Sequence, residues 1–384
     1  MLRVLTLSTL FPDATRPGFG IFVERQTQAL AAQPEVEVHV VAPVGLPAWP
    51  FSLHPHYRPR TWLPPRETWH GLDVRRPRFR VRPGRGAHLA AKELARTIAL
   101  GLTQADFGFD VIDAEFFWPD GVAAMQLAER FGTPFCVKAR GSDIHHWGGV
   151  PLVREQILAA AQAAGGLLAV SEALKRDMAA LGMAEEKIRA HYTGIDLERF
   201  RPVDRAAAKR RLGVEGPLIV SAGNLVPLKG HRLVVEALAQ LPGVTLLIAG
   251  DGPEAAALES AIASAGLPDR ARLLGGVAAD EMPALLGAAD LMVLPSEREG
   301  LANVWIESLA CGTPILISDV GGAREVLDRP QAGRIVERDP GAIARAAREM
   351  LASPAQPQAV RAAAERFSWE RNGRELAEHL RRIA

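Results

Sequence analysis

The sequence predicts an α/β protein built on two successive parallel sheets. Three observations carry that expectation. Short β-branched or aliphatic runs alternate with alanine-rich segments of helical period along the whole chain, the pattern of strand–helix–strand units. A connector bearing Gly194 and Pro202 interrupts the alternation midway, just before a charged helical segment, Arg205 to Leu212. The length, 384 residues, suits two or three domains at roughly 100 to 200 residues each.

The expected strands of the first half are Val4 to Leu7, Val36 to Val41, Val111 to Ala114, Pro134 to Ala139 and Leu167 to Val170. Those of the second half are Leu218 to Ala222, Val244 to Ala249, Arg272 to Leu274, Leu291 to Leu294 and Pro314 to Ile317. The first domain is expected over 1–198 and the second over 199–366. An amphipathic helix in 367–384, entered through Phe367, Ser368 and Trp369, closes the chain. Arg3 ahead of a short apolar run resembles a secretory leader, but Thr6, Ser8 and Thr9 break the run, so it reads as a first strand.

Composition excludes several classes. With 48% hydrophobic residues and 45 basic against 44 acidic side chains, neither a disordered chain nor a nucleic-acid-coating polycation is expected. The two cysteines, Cys136 and Cys311, cannot build a disulfide framework and suit a reducing, cytoplasmic setting. No run of about 18 apolar residues is long enough to span a membrane.

One segment departs from the rhythm. Residues 46–86 carry many prolines, Trp49, Trp62 and Trp69, and a run of arginines from Arg58 to Arg85 against only Glu67 and Asp73. It reads as a long connection. Either a solvated, proline-stiffened loop or an attachment surface for an anionic membrane or polysaccharide accounts for it. Nucleic acid ranks below both, because the rest of the chain has no basic face. A peripheral position on the inner face of the cytoplasmic membrane follows from the second reading.

Chemistry concentrates at three places. In the first half, Gly18 and Gly20 form a turn before a helix, where backbone N–H groups can approach an anion. The turn differs from a dinucleotide fingerprint, since Val23 stands at the third glycine position and no acid follows the second strand. In the second half, the stretch from Pro295 to Pro314 sets Glu299 before, and Glu307 within, a helix expected to start near Ala302 or Asn303. Its first-turn N–H groups suit a diphosphate and its carboxylates suit sugar hydroxyls. Lys229 stands at the mouth of another helix, after the strand Leu218 to Ala222, where a cation suits a phosphate. No Asp-x-Asp pair and no ligand-spaced His or Cys cluster occurs, so neither a metal nor a cofactor is expected.

These motifs together resemble glycosyltransferase family 4, retaining enzymes of the GT-B fold. The resemblance rests on Glu299-Gly-Leu with Glu307, on Gly223 to Gly230, on Gly250 to Glu254, on Gly194-Ile-Asp196, and on Arg140 to Asp143. It implies two Rossmann-like domains facing a cleft, with the last helix crossing back to the first domain. By that resemblance Glu299, Lys229 and Arg140 are the catalytic residues. Gly20, Asn224, Gly275, Val277, Gly300, Leu301, Ala302, Asn303, Val304 and Glu307 join Lys229 and Glu299 around the donor, and Asp120 and Asp143 fall on the acceptor side. Two positions depart from the family: Asn224 replaces a usual arginine and Arg140 a usual histidine, so Arg140 is expected to supply part of the missing charge.

The implied activity is transfer of a sugar from a UDP- or GDP-linked donor to a saccharide or lipid-linked acceptor in envelope or exported polysaccharide assembly, without a metal. Two alternatives stay open. A sugar-nucleotide epimerase of the same fold would need no acceptor, and a non-catalytic module binding an anionic membrane surface would show no turnover.

Overall fold

A computed structural model describes residues 1–82, 88–101 and 108–384. The chain divides into two compact units, Met1–Gly194 with Trp369–Ala384, and Ile195–Ser368.

The first unit contains β1 (Leu2–Leu7), β2 (Val36–Val41), β3 (Val44–Leu46), β4 (Arg66–Trp69), β5 (Leu72–Arg75), β6 (Arg78–Arg80), β7 (Val111–Ala114), β8 (Phe135–Ala139), β9 (Gly166–Ala169) and β10 (Ile188–Ala190). Eight of these form one sheet in the order β10-β9-β8-β7-β1-β2-β5-β4, parallel except for the β4–β5 hairpin. The central strands β1, β7, β8 and β9 are almost wholly buried, which is why they read as continuous apolar runs.

Residues 46–82 hold more regular structure than the long connection expected from sequence. Its hairpin turns at His70 and Gly71, whose φ values of 46° and 88° match the two-residue turn that follows the natural strand twist. Leu72 and Val74 alternate into the core with Phe11, Val23 and Val40, while β3 and β6 pair as a separate two-stranded ladder. Several of its arginines are already engaged: Arg66 pairs with Asp73 at 2.8 Å, and buried Arg76 pairs with Glu67 at 2.5 Å and donates to the Pro12 carbonyl. Residues 83–86 of the segment, Arg85 among them, lie outside the described residues.

The C-terminal helix Trp369–Ile383 belongs to this first unit. Its apolar face, Leu376, Ala377 and Leu380, packs with Leu2, Val4, Leu30 and Val111. Gly373 permits the approach, since a Cβ there would stand 2.3 Å from the Ala29 carbonyl oxygen.

The second unit holds β11 (Leu218–Ala222), β12 (Thr245–Ala249), β13 (Ala271–Gly275), β14 (Leu291–Leu294), β15 (Ile315–Ile317) and β16 (Gly333–Ile335). They form one parallel sheet in the order β13-β12-β11-β14-β15-β16. Val220, Leu246, Leu247, Met292 and Leu316 are fully buried. The helices His231–Leu238 and Pro340–Ala352 contribute Val234, Val235, Ile343 and Ala347 to the core on one face.

Candidate active site

In the second sheet the chain runs outward from β11 in one direction through β12 and β13, then returns to β11's other side with β14. At such a reversal the loops leaving the two central strands part to opposite faces and open a crevice at the strands' C-terminal ends. The loop after β11 brings Lys229 there, and the loop after β14 brings Glu299. Lys229 Nζ donates to Glu299 Oε1 at 2.5 Å, and Ser296 Oγ donates to the same oxygen at 2.7 Å. Both side chains keep a path to solvent, 22% exposed for Lys229 and 10% for Glu299.

Backbone geometry holds the pair. Gly230 lies at φ 72°, and a Cβ there would come within 2.5 Å of the Pro295 carbonyl oxygen. Only glycine both adopts this turn cheaply and lets the two loops touch. The Glu297 N–H then donates to the Leu228 carbonyl at 2.7 Å. From the far side, Arg338 Nε donates to Pro295 O at 2.9 Å, and the Gly322 N–H to Gly300 O at 2.9 Å. The Glu299 loop is thus clamped on both flanks.

The helix Asn303–Ala310 follows that loop. Its N-cap is Ala302, which gives no side-chain cap, so the first-turn N–H groups are not quenched by a local carboxylate or hydroxyl. Leu301 and Ala302 are buried, while Gly300, Asn303, Val304 and Glu307 are half-buried. Glu307 stands one turn into the helix. Asn224 is exposed on the loop after β11. Gly275 ends β13, where its carbonyl accepts from the Gly250 N–H at 2.8 Å. Val277, two residues on, lines a separate cavity of about 470 Å³ with Leu274, Asp280, Ala284 and Arg211. Lys229 and Glu299 are therefore in direct contact, whereas Val277 lies in a cavity to which neither contributes.

His231, not singled out from the sequence, is fully buried next to Lys229 and contacts Ser221 Oγ through Nδ1 at 2.8 Å. Burial pushes its imidazole down to about 4, so it is neutral at pH 7. Arg338 and Ser296 are likewise absent from the sequence expectation. Neither lies in a motif of its own, and their roles arise from loops distant in sequence.

The first unit has a different polar centre. Arg140 pairs with Glu115, with 6% and 0% of their side chains exposed, and its guanidinium lies 4.9 Å from the centroid of Phe22. Glu115 also accepts from Gln26 Nε2, and Gln26 Oε1 accepts from Lys138 Nζ at 2.6 Å. Lys138 Nζ meets His191 Nδ1 at 2.8 Å, and His191 Nε2 meets the Asn372 carbonyl at 2.9 Å. A carbonyl only accepts, so Nε2 carries the proton and Nδ1 accepts from Lys138. Burial drives both Lys138 and His191 toward neutrality, reinforced by Arg140 on Lys138 and by Lys138 on His191. Arg140, expected from the sequence to support a departing or acceptor phosphate, is thus ion-paired with Glu115 inside the unit. Glu115, Lys138 and His191 are absent from the sequence expectation, although a lysine within Phe-Cys-Val-Lys-Ala is a visible signal.

Asp120 and Asp143 are both fully buried. Asp143 accepts from the N–H groups of Phe117, Arg140 and Gly141 and so ties together the loops after β7 and β8. Asp120 accepts from the Thr9 N–H at 2.9 Å, and burial pushes its carboxyl up to about 7. Gly20, at φ 70°, starts the helix Ile21–Ala31, and a Cβ there would overlap the Leu10 carbonyl. Among the described residues no group of three His, Cys, Asp or Glu side chains is placed to hold a metal ion.

Two family models match complementary halves of the chain: Glycosyltransferase Family 4 over residues 18–199 and Glycosyl transferases group 1 over residues 203–367. The chain belongs to glycosyltransferase family 4. This family 4 chain is 29% identical over 357 residues to TuaC of Bacillus subtilis, named a "putative teichuronic acid biosynthesis glycosyltransferase", covering 90% of the chain and 88% of the relative. It is 28% identical to the GDP-mannose-dependent alpha-(1-6)-phosphatidylinositol monomannoside mannosyltransferase of Mycolicibacterium smegmatis, covering 70% and 76%. Its fold is that of GT-B glycosyltransferases. Sucrose-phosphate synthase from Thermosynechococcus elongatus superposes with a TM-score of 0.81 at 20% identity, covering 100% of this chain and 99% of that one. Anabaena HepE, solved in complex with UDP-glucose, superposes with a TM-score of 0.75 at 20% identity over the full length of both chains.

Proposed function

We propose that this glycosyltransferase is a retaining enzyme that takes its sugar from a nucleoside diphospho-sugar, of UDP or GDP type, and passes it to a saccharide or lipid-linked acceptor in envelope or exported polysaccharide assembly. The observation that carries this reading is the Lys229–Glu299 pair at the reversal point of the second sheet, beside an uncapped helix start. Cation and helix N-terminus suit a diphosphate. The carboxylates of Glu299 and Glu307 suit hydroxyls of the sugar and the ribose. The relative named for GDP-mannose and the neighbour solved with UDP-glucose support a donor of this class without choosing the base.

In the proposed reaction the bond from the anomeric carbon to the diphosphate oxygen breaks and a bond to the acceptor oxygen forms on the same face. The acceptor proton passes to a phosphate oxygen of the departing nucleoside diphosphate. Lys229 stabilises the charge that develops there, and Glu299, released from Lys229 by the arriving phosphate, orients the sugar. These groups supply leaving-group stabilisation without a metal, so turnover is expected to survive a chelator.

A peripheral membrane position belongs to the same proposal. Trp49, Phe51, Leu53 and Trp62 are 77%, 71%, 56% and 79% exposed, with Arg58 exposed among them, a combination favoured at an anionic headgroup layer. Among the described residues no helix is long and apolar enough to cross a membrane.

The test is a titration of UDP- and GDP-linked sugars followed by thermal shift, with product configuration read by NMR. A donor at about a hundred times its dissociation constant adds about 2.7 kcal/mol of stability. The reading fails if no such donor shifts the melting point, or if the glycosidic product has the inverted configuration.

A further inference from the structure

The first sheet also reverses, between β1 and β7, and the loops leaving those strands are joined there by the Thr9 N–H to Asp120 bond. A cavity of about 370 Å³ opens beside this junction. It is lined by Thr9, Arg16 and Trp118 from the two loops and, from elsewhere in the unit, by His56, Arg60 and Trp147. Trp118 and Trp147 stand with ring centroids 6.1 Å apart; Trp118 is buried and backs the half-buried Trp147, whose ring is the apolar surface against which the C–H face of a sugar can rest.

A second cavity, of about 800 Å³, adjoins it. Tyr57, Val81 and Arg82 line both. The larger cavity is mainly apolar, walled by Pro47, Ala48 and Phe51, and Phe51 belongs to the same exposed apolar group as Trp49 and Trp62.

Cations line both cavities, and Arg82 is common to the two. Arg16, Arg60, Arg80 and Arg82 line one or the other. Among the described residues, the carboxylates facing them are Asp13, which Arg16 and Thr15 already occupy, and Glu93, 3.6 Å from Arg82. Four guanidiniums thus meet two carboxylates. Arg60 contacts His56 Nε2 at 2.7 Å rather than an acid, and its guanidinium is held below its usual range by burial and then by Arg16. Such crowding is relieved by an anion.

We propose that this unit binds a lipid-phosphate-linked acceptor across the two cavities, with its apolar chain in the larger one, its phosphate on Arg82 of the shared wall and Arg60 of the smaller cavity, and its first sugar against Trp147. The word acceptor rests on the glycosyltransferase reading; the binding itself does not. A soluble phosphosugar would leave the apolar cavity unfilled, and a neutral lipid would leave the guanidinium surplus unmet.

The test uses the full-length protein without donor and farnesyl phosphate as probe, with farnesol and inorganic phosphate as its two halves, in calorimetric titrations. Farnesyl phosphate is expected to bind at least tenfold more tightly than either half. Arg60→Ala and Arg82→Ala should each weaken it about tenfold while leaving farnesol unchanged. Phe51→Ser should weaken farnesyl phosphate and farnesol but not phosphate, and a melting curve for each variant shows that the fold is kept. If inorganic phosphate binds as tightly as farnesyl phosphate, the site serves a soluble anion and the lipid assignment is overturned. If farnesol binds as tightly, the arginines are not a phosphate site and the proposal is overturned. Binding to phosphatidylglycerol vesicles without binding of farnesyl phosphate overturns it in favour of a membrane surface. Lys229→Ala should leave farnesyl phosphate binding intact. Loss of all donor binding in the wild-type protein, with farnesyl phosphate still bound, would sink the glycosyltransferase mechanism and leave this site standing.

Discussion

Lys138 and Lys229 set the two units side by side. Lys138 lies inside β8, fully buried, with its nitrogen tied to Gln26 and His191. Lys229 lies beyond the end of β11 and meets Glu299 while part of it still reaches solvent. The first is part of a polar core whose members were ordered together with the fold. The second sits where a sheet ends, at the place proposed for the donor diphosphate. Burial therefore separates a lysine that maintains structure from one that can exchange its partner, although both are lysines close to a parallel strand.

That contrast yields predictions of decreasing size. Glu115→Ala should be the most damaging change, because it removes the ion-pair partner of Arg140 in a buried polar cluster. Breaking a buried pair in this way costs about 3–5 kcal/mol, to be read as a lowered urea midpoint for the first unit. An effect below about 1 kcal/mol would show that the polar core is wetter than its burial indicates.

Asp120→Asn comes next and shows itself through pH. The native carboxyl titrates near 7 because of burial, against about 3.9 in an unfolded chain. Between these values the unfolded chain releases its proton while the native one keeps it, so the native state loses stability as pH rises from about 4 to 7, and the loss levels off above 7. Asparagine mimics the protonated form. The stability advantage of the variant should grow across that window to a few kcal/mol at most, at about 1.4 kcal/mol for each pH unit that separates the two titrations. A difference independent of pH would place the titration elsewhere.

Lys229→Ala should do the reverse of Glu115→Ala. Its pair is edge-placed, so stability should change by at most about 1 kcal/mol, whereas donor affinity should fall about tenfold or more, matching about 1.5–3 kcal/mol for a charge-assisted hydrogen bond. Equal losses of stability in Lys229→Ala and Glu115→Ala would abolish the distinction between the two lysines. The smallest effect on folding belongs to Trp62→Ser. At 79% exposed, the indole should leave the melting temperature essentially unchanged while reducing co-sedimentation with anionic vesicles.

The second unit is the more legible from sequence. Each of its five expected strands is present, and the helix after the Glu299 loop begins at Asn303, because buried parallel strands and their helices write continuous apolar and 3.6-period patterns into the chain. Gly333–Ile335 leaves no such pattern, being three residues long with Arg334 and Ile335 exposed. In the first unit the Arg66–Arg75 hairpin reads as loop. Only Leu72 and Val74 carry its alternation, and its remaining stability comes from ion pairs that join residues seven and nine positions apart.

By itself the sequence determined the two parallel sheets, the edge loops with their glycines, and the presence of Lys229 and Glu299 in stretches that precede helices. These depend on local period and turn chemistry, which few residues suffice to encode. Tertiary structure alone decided that Lys229 meets Glu299, that Arg140 is neutralised by Glu115, and that Tyr57, Val81 and Arg82 divide an apolar cavity from a cationic one. Each of those depends on how residues far apart in the chain share one small volume, where burial and distance, rather than residue type, set the charge a group can carry.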